Sequence, residues 1–296
     1  MAYYSGSAID MAAVRTALVS ACTSEGWSWD VGTDMLSKGA AFLRVQVAAG
    51  YLTLQARTSA SAGAAPGLVR IGDWNTTDVI TWPVSYDVFV FEAEVYLVIQ
   101  YSIDNYQWAA FGVSTVLNMP GSGMWVGASQ GDGALSAGAY ITIGPASSAS
   151  GVSGAVSPAL FWGASAPNTW QRNYWIHSDL DGAGWLLGTA VDAAPVGISA
   201  LVPLMAILPN SWNSEAVMLP IRGWKVRASS KISLTADLVN ARYTRMDNYE
   251  PGQIVAIGDD QWKLFPWHRK NSAARNGGTG INHTGTLGWA LRYEGP

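Results

Sequence analysis

Charge is scarce in this sequence. Charged residues fill 13% of its 296 positions, against roughly a quarter in an average globular chain. The 17 basic and 21 acidic side chains leave a net charge of −4. The local basic run Trp267-His268-Arg269-Lys270, with Arg275 soon after, is short and reads as a solvated loop. Nucleic-acid binding needs clustered Lys and Arg to neutralise phosphates, so no nucleic-acid partner is expected. Cysteine is nearly absent: Cys22 stands alone, which excludes an internal disulfide and a Cys-rich zinc site. No stretch approaches the ~20 apolar residues of a spanning helix. The first residues lack the basic segment and apolar core of a signal peptide, so the expectation is a chain that folds in a cytoplasm without a membrane span.

Chemical motifs are also missing. The histidines are His177, His268 and His283, and no GxSxG elbow, HExxH helix or Walker loop accompanies them. Gly121-Ser122-Gly123 lacks the Gly-Lys-Ser/Thr that would turn a glycine loop into a phosphate cradle, and reads as a flexible turn after Pro120. One constellation remains, His177-Ser178-Asp179-Leu180-Asp181-Gly182. Alternate carboxylates before a glycine can converge on a hard cation, so Asp179 and Asp181 are the candidate metal ligands. A calcium loop needs a third oxygen ligand and a downstream bidentate Glu, and neither is present, which favours a plain Asp-Gly turn. As paired acids the same two residues would act on a glycan, but nothing in the sequence fixes their separation. The expectation is a chain with no cofactor and no catalytic residues.

Apolar residues, by contrast, reach 49%. Together with the low charge this argues against disorder over most of the chain and favours a surface covered in part by neighbouring subunits. One helix opens the sequence. Ser7 and Asp10 resemble a capping box, Ile9, Ala13, Ala17, Leu18, Ala21 and Cys22 recur at helical spacing, and Gly26 ends it. Strands follow. Leu43–Val47 and Leu52–Leu54 alternate about Ala48-Ala49-Gly50 and predict a hairpin. Asp87 to Tyr101 predicts a second hairpin through Glu92-Ala93-Glu94, whose apolar runs suggest burial on both faces, with Trp108–Val113 beside it. Further strand signals lie at Ala216–Leu219, Gly223–Val226, Ile254–Ile257, Trp262–Phe265 and Leu287–Tyr293, with a turn at Gly258-Asp259-Asp260-Gln261.

The fold class expected is α+β, mostly β: an N-terminal helix packed on antiparallel sheet, then a β-rich, Trp-rich region of short strands. Two stretches are low in complexity, Thr58 to Gly67 and Ala146 to Ser157. The first reads as a loop extension. The second divides the chain into 1–145, a loop or linker at 146–157, and 158–296, or lies as an insertion within one domain.

Tryptophan is the compositional oddity, with 15 copies. Trp162, Trp170, Trp175 and Trp185 cluster, and Trp267 and Trp289 lie near the end. These six are the candidates for an interface or a ligand surface, with packing in a core or between subunits as the plainer reading.

The residues also resemble a known group. Met1-Ala2-Tyr3-Tyr4-Ser5-Gly6-Ser7-Ala8, a short helix and Gly26-Trp27 look like conserved virion proteins of tailed phages infecting Gram-negative bacteria. So do Glu94-Val95-Tyr96 and Tyr106-Gln107-Trp108-Ala109-Ala110-Phe111-Gly112 within Tyr86–Phe111, and Pro120-Gly121-Ser122-Gly123-Met124-Trp125. In the terminal block, Trp262-Lys263-Leu264-Phe265-Pro266-Trp267 and His283-Thr284-Gly285-Thr286-Leu287-Gly288-Trp289-Ala290 carry the likeness. It spans nearly the full length outside the low-complexity stretches and contains no chemical motif.

The resemblance implies a non-enzymatic structural subunit of the phage tail, in the baseplate or tail tip, assembled in the host cytoplasm with other tail or baseplate proteins. A homo-oligomer, trimer or hexamer, follows from building on a tail axis. The alternatives are a receptor- or glycan-binding virion protein that grips host-surface polysaccharide, and a head–tail connector component.

Overall fold

The computed structural model describes residues 1–73, 79–132, 160–161, 176–182, 184–187, 212, 217–246, 248–267, 270 and 287–295. Strand β1 (Ala2–Ala8) precedes the helix α1 (Met11–Ser24). Strands β2 (Ser28–Asp30), β3 (Met35–Lys38), β4 (Ala41–Ala48), β5 (Tyr51–Arg57) and β6 (Leu68–Ile71) follow. Next come β7 (Val84–Val90), β8 (Glu94–Ser102), β9 (Asn105–Val113), β10 (Met124–Ala128), β11 (Gln130–Asp132), β12 (Ile176–Ser178) and β13 (Leu186–Leu187). The last are β14 (Leu219–Arg227), β15 (Lys231–Arg245), β16 (Ile254–Ile257), β17 (Asp260–Pro266) and β18 (Leu287–Tyr293).

These strands form three antiparallel sheets. A central sheet runs β1-β7-β8-β9-β10-β12-β13, a second runs β11-β6-β5-β4-β3-β2, and a third runs β14-β15-β18-β17-β16. The central sheet lies between the other two. Val88, Val90, Val95, Leu97, Ile99, Phe111 and Val126 pack with α1 and the second sheet. Their neighbours Phe89, Tyr96, Val98, Trp108, Ala110 and Trp125 pack against the third sheet. Successive side chains of a strand leave opposite faces, so burial on both sides requires the unbroken apolar runs seen in β7 and β8. Residues from both sides of position 150 build one core, because Tyr243, Trp267 and Trp289 pack with Phe89 and Trp108. Strand β12 also extends the central sheet from β10.

The expected hairpins form as read. Ala48 pairs with Tyr51 across Ala49 (φ 50°) and Gly50 (φ 84°), a tight turn with both central residues left-handed. Phe91 N–H donates to Glu94 O at 2.8 Å and closes the second hairpin. The turn between β16 and β17 is tighter than expected, since Ile257 already pairs with Asp260 about Gly258-Asp259. Thr58–Gly67 is an excursion between β5 and β6, tied by Thr58 N–H to Gly63 O and Ala65 N–H to Ala56 O. The stretch 146–157 lies outside the described residues.

The helix begins later than its apolar spacing implies. Ser7 belongs to β1, Ile9 is 76% exposed, and Asp10 is the N-cap, accepting from Ala13 N–H at 2.7 Å. The seven residues of β1 pair continuously with β7, which holds the chain in the sheet through Ala8. At the other end the chain turns through Gly26 (φ 82°), with Gly26 N–H on Thr23 O and Trp27 N–H on Cys22 O. Nine strands were not anticipated, β1, β2, β3, β6, β10, β11, β12, β13 and β15; the longest of them are the seven-residue β1 and the 15-residue β15.

Packing between β9 and β10 leaves no room at Gly112. A Cβ there would lie 2.3 Å from Ala93 O and 2.9 Å from the Trp125 ring. Gly112→Ala is therefore expected to cost about 2 kcal/mol, read as a lower urea midpoint with an unchanged slope.

Candidate functional site

The predicted acidic pair lies where the central sheet meets the hairpin of β14 and β15. Ser178 and His177 pair with Trp125 and Val126, and the chain then leaves the sheet at Asp179. Asp179 is spent on the turn after Pro120. Its N–H donates to Met124 O, its carbonyl accepts from Gly123 N–H, and its Oδ2 accepts from Ser122 N–H at 3.0 Å. Gly121 is needed there, because a Cβ would lie 2.2 Å from Asp179 O. Asp181 turns the other way, onto Lys225 Nζ (2.7 Å) and Arg227 Nη2 (2.6 Å). Hydrogen bonding from Arg227, with Lys225 beside it, holds the Asp181 carboxyl below the usual carboxylate range.

The two carboxylates thus do not converge. One accepts from a backbone amide and the other pairs with two cations. Among the described residues no three His, Cys, Asp or Glu side chains gather in a metal-holding group. Their spacing was legible in the sequence; their divergence depends on where the strand ends, which no local signal marks.

The candidate tryptophans divide. Trp162, Trp170 and Trp175 lie outside the described residues. Trp185 is partly exposed and donates from Nε1 to Gly63 O at 2.9 Å, fastening the Thr58–Gly67 excursion. Trp267 and Trp289 are 1% and 0% exposed, stacked on each other at 4.4 Å, with Trp108 against both. Neither ring is presented to a partner or a ligand. Both belong to the core between the central and third sheets, which corrects their reading as interface candidates. Their indole faces are large enough to span that layer, which smaller side chains would leave void.

Two polar struts that the sequence reading missed cross the same layer. Glu94, the first residue of β8, is buried and accepts from Tyr96 Oη, Asn240 Nδ2, Val239 N–H and Asn240 N–H. The two amides belong to an irregularity of β15, where pairing with β14 jumps from Pro220–Arg242 to Ile221–Leu238. A bulge leaves backbone groups without a ladder partner, and Glu94 supplies it from the facing sheet. Burial pushes the Glu94 carboxyl up, against the hydrogen bonds from Asn240 and Tyr96 that hold it down. The second strut is Lys263 Nζ, 2.6 Å from Asp87 Oδ1 and 2.5 Å from Tyr3 Oη, with the Tyr3 ring 4.6 Å away. Burial opposes its charge, but Asp87 and Tyr3 outweigh that and raise its pKa.

Gln107 links the central sheet to the second one. Its side chain donates to Gly72 O and accepts from Gly72 N–H at 2.7 and 2.8 Å, and Gln130 also donates to Gly72 O. These groups hold the sheets together. His177 is different: it is 1% exposed, on the face it shares with Val126, and neither ring nitrogen has a hydrogen-bond partner among the described residues. Burial lowers its pKa from 6.5 to about 4. No family model matches the chain, and no curated protein is similar to it.

Two measurements follow from these groups. Glu94→Ala strands the Val239 and Asn240 amides and is expected to cost roughly 3 kcal/mol in urea unfolding. For His177 the folded pKa is depressed, so the unfolded chain takes up the proton first as pH falls. Its contribution is full above pH 6.5 and is lost toward pH 4, by roughly 3 kcal/mol. Between pH ~7.5 and ~4.5 the His177→Leu chain should therefore lose less stability than the native one.

Proposed function

We propose that this chain is a non-enzymatic structural subunit of a tailed-phage virion, placed in the baseplate or distal tail tip. It is made in the host cytoplasm and assembles there with other tail proteins, in a ring of three or six copies. The resemblance along its length points to this class. The observation that supports it is the use of the aromatic side chains: Tyr96, Trp108, Tyr243, Phe265, Trp267 and Trp289 fill the layer between two sheets. Rings locked edge to face and stacked, with Glu94 and Lys263 tying the same layer, make a stiff body suited to transmitting force.

A second reading, a virion protein that binds host-surface polysaccharide, is favoured by Trp212, which is 96% exposed. An indole at the surface offers a face on which a sugar ring can stack.

Immunogold electron microscopy of virions made from the genome that encodes the chain tests the first reading. Label at the distal tail end is expected. Label at the head–tail junction would move the assignment to a connector, and particles without the chain would overturn it. Tryptophan fluorescence tests the second, since the buried rings should not respond to host polysaccharide, and saturable quenching would favour receptor binding.

A further inference from the structure

Among the described residues the three sheets end in six edge strands, β1, β13, β11, β2, β14 and β16. Exposed edges carry unpaired N–H and C=O groups, and proteins protect them with short length, charge, proline or bulges. Five of the six are protected in these ways. β13 has two residues, β2 and β11 have three and β16 has four. β14 is longer, but carries Pro220, Arg222, Lys225 and Arg227 and two register shifts. Among the described residues β1 has no such protection. It is seven residues long, AYYSGSA, without charge or proline, and pairs with β7 in unbroken register. Ser5, Gly6 and Ser7 are exposed.

The strand is also held in place. Tyr3 Oη donates to Asp87 at 2.5 Å and its ring meets Phe89 and Tyr293, while Tyr4 Oη donates to Glu25 at 2.7 Å. An ordered edge loses little conformational freedom on pairing. Of the charges beside the strand, Lys263 pairs with Asp87, Lys38 with Glu92 and the Met1 ammonium with Glu294, which limits repulsion between two such edges.

We propose that β1 is a self-association edge, pairing antiparallel with β1 of a second copy about a two-fold axis at Ser5. Ser5 is the middle residue of the strand, so this register overlaps all seven residues. Across the axis Tyr3 faces Ser7, and Tyr4 faces Gly6. Each large side chain meets a small one, the complementarity that favours cross-strand pairs. Gly6 already lies under its own chain's Tyr86, whose hydroxyl is 2.6 Å from where a Cβ would stand, so a bulky residue at that position would clash. The two central sheets become one. This pairing stands apart from the virion assignment: a two-fold contact closes at two copies, so it is separate from the contacts that would build the proposed ring.

The test is light scattering over a dilution series on the full chain, with any tag placed at its C-terminal end. A dimer is expected, weakened at least tenfold by Ser5→Lys and by Ser7→Lys, the second at an exposed position whose urea midpoint should stay at the native value. Under mild oxidation Ser5→Cys should form a disulfide dimer, whereas Ile103→Cys, in an 85% exposed turn position, should not. A monomer at every concentration overturns the proposal. So does association that ignores both lysines, or a Ser5→Cys chain that cross-links no faster than the Ile103→Cys control.

Discussion

Burial of the central sheet on both faces is the constraint on which the rest of the structure depends. A sheet solvated on one side needs apolar residues at alternate positions; this one needs them at nearly every position from Val88 to Phe91 and from Val95 to Ile99. Two further sheets and a helix are then required to cover it. The faces are covered differently. The side toward α1 is filled mainly by Val, Leu, Ile and Ala, with Trp27, Tyr101 and Phe111 among them, and the side toward the third sheet is richer in aromatic rings. That asymmetry follows from the covering elements: aliphatic side chains suffice where helix and strands come close, whereas the other layer is filled by indoles and phenols.

Polar groups that enter such layers have to be satisfied there. A buried donor or acceptor left without a partner costs about 1–3 kcal/mol, so each one restricts how the sheets can be set against each other. Gln107 pairs with both backbone groups of Gly72 as a neighbouring strand would. Glu94 meets the bulge of β15, and Lys263 reaches Asp87 and Tyr3. Slipping the third sheet by one residue would break the last two contacts together. Apolar packing supplies most of the cohesion, and these few contacts select one register among several of similar burial.

The hairpins were legible because their signals are local: alternation, a two-residue turn at Ala49-Gly50, and apolar runs. The missed parts are those that tertiary context decides. β1 reads as small and polar and becomes a strand only because β7 accepts it. β15 was missed because its bulge at Val239-Asn240 breaks the period and Arg242 and Arg245 interrupt its apolar pattern. The alternation Trp262-Lys263-Leu264 suggests a lysine facing water, yet that side chain lies on the inner face beside Tyr3. At the candidate site the spacing of Asp179 and Asp181 was visible, while their divergence was not. A sequence gives the same tryptophan whether its ring is spent inside, as at Trp267, or outside, as at Trp212.

Low charge therefore has a cause within the chain. Three stacked sheets bury two layers, and the residues filling them leave fewer positions for charged side chains than one core would. Composition alone thus does not require a largely covered outer surface, which narrows where association is to be sought. Five sheet edges are shortened, charged or bulged, and those features work against strand addition whatever the composition of the rest of the surface. What distinguishes β1 is the combination of length, neutrality and unbroken register. The proposed self-association accordingly rests on one edge rather than on the average surface.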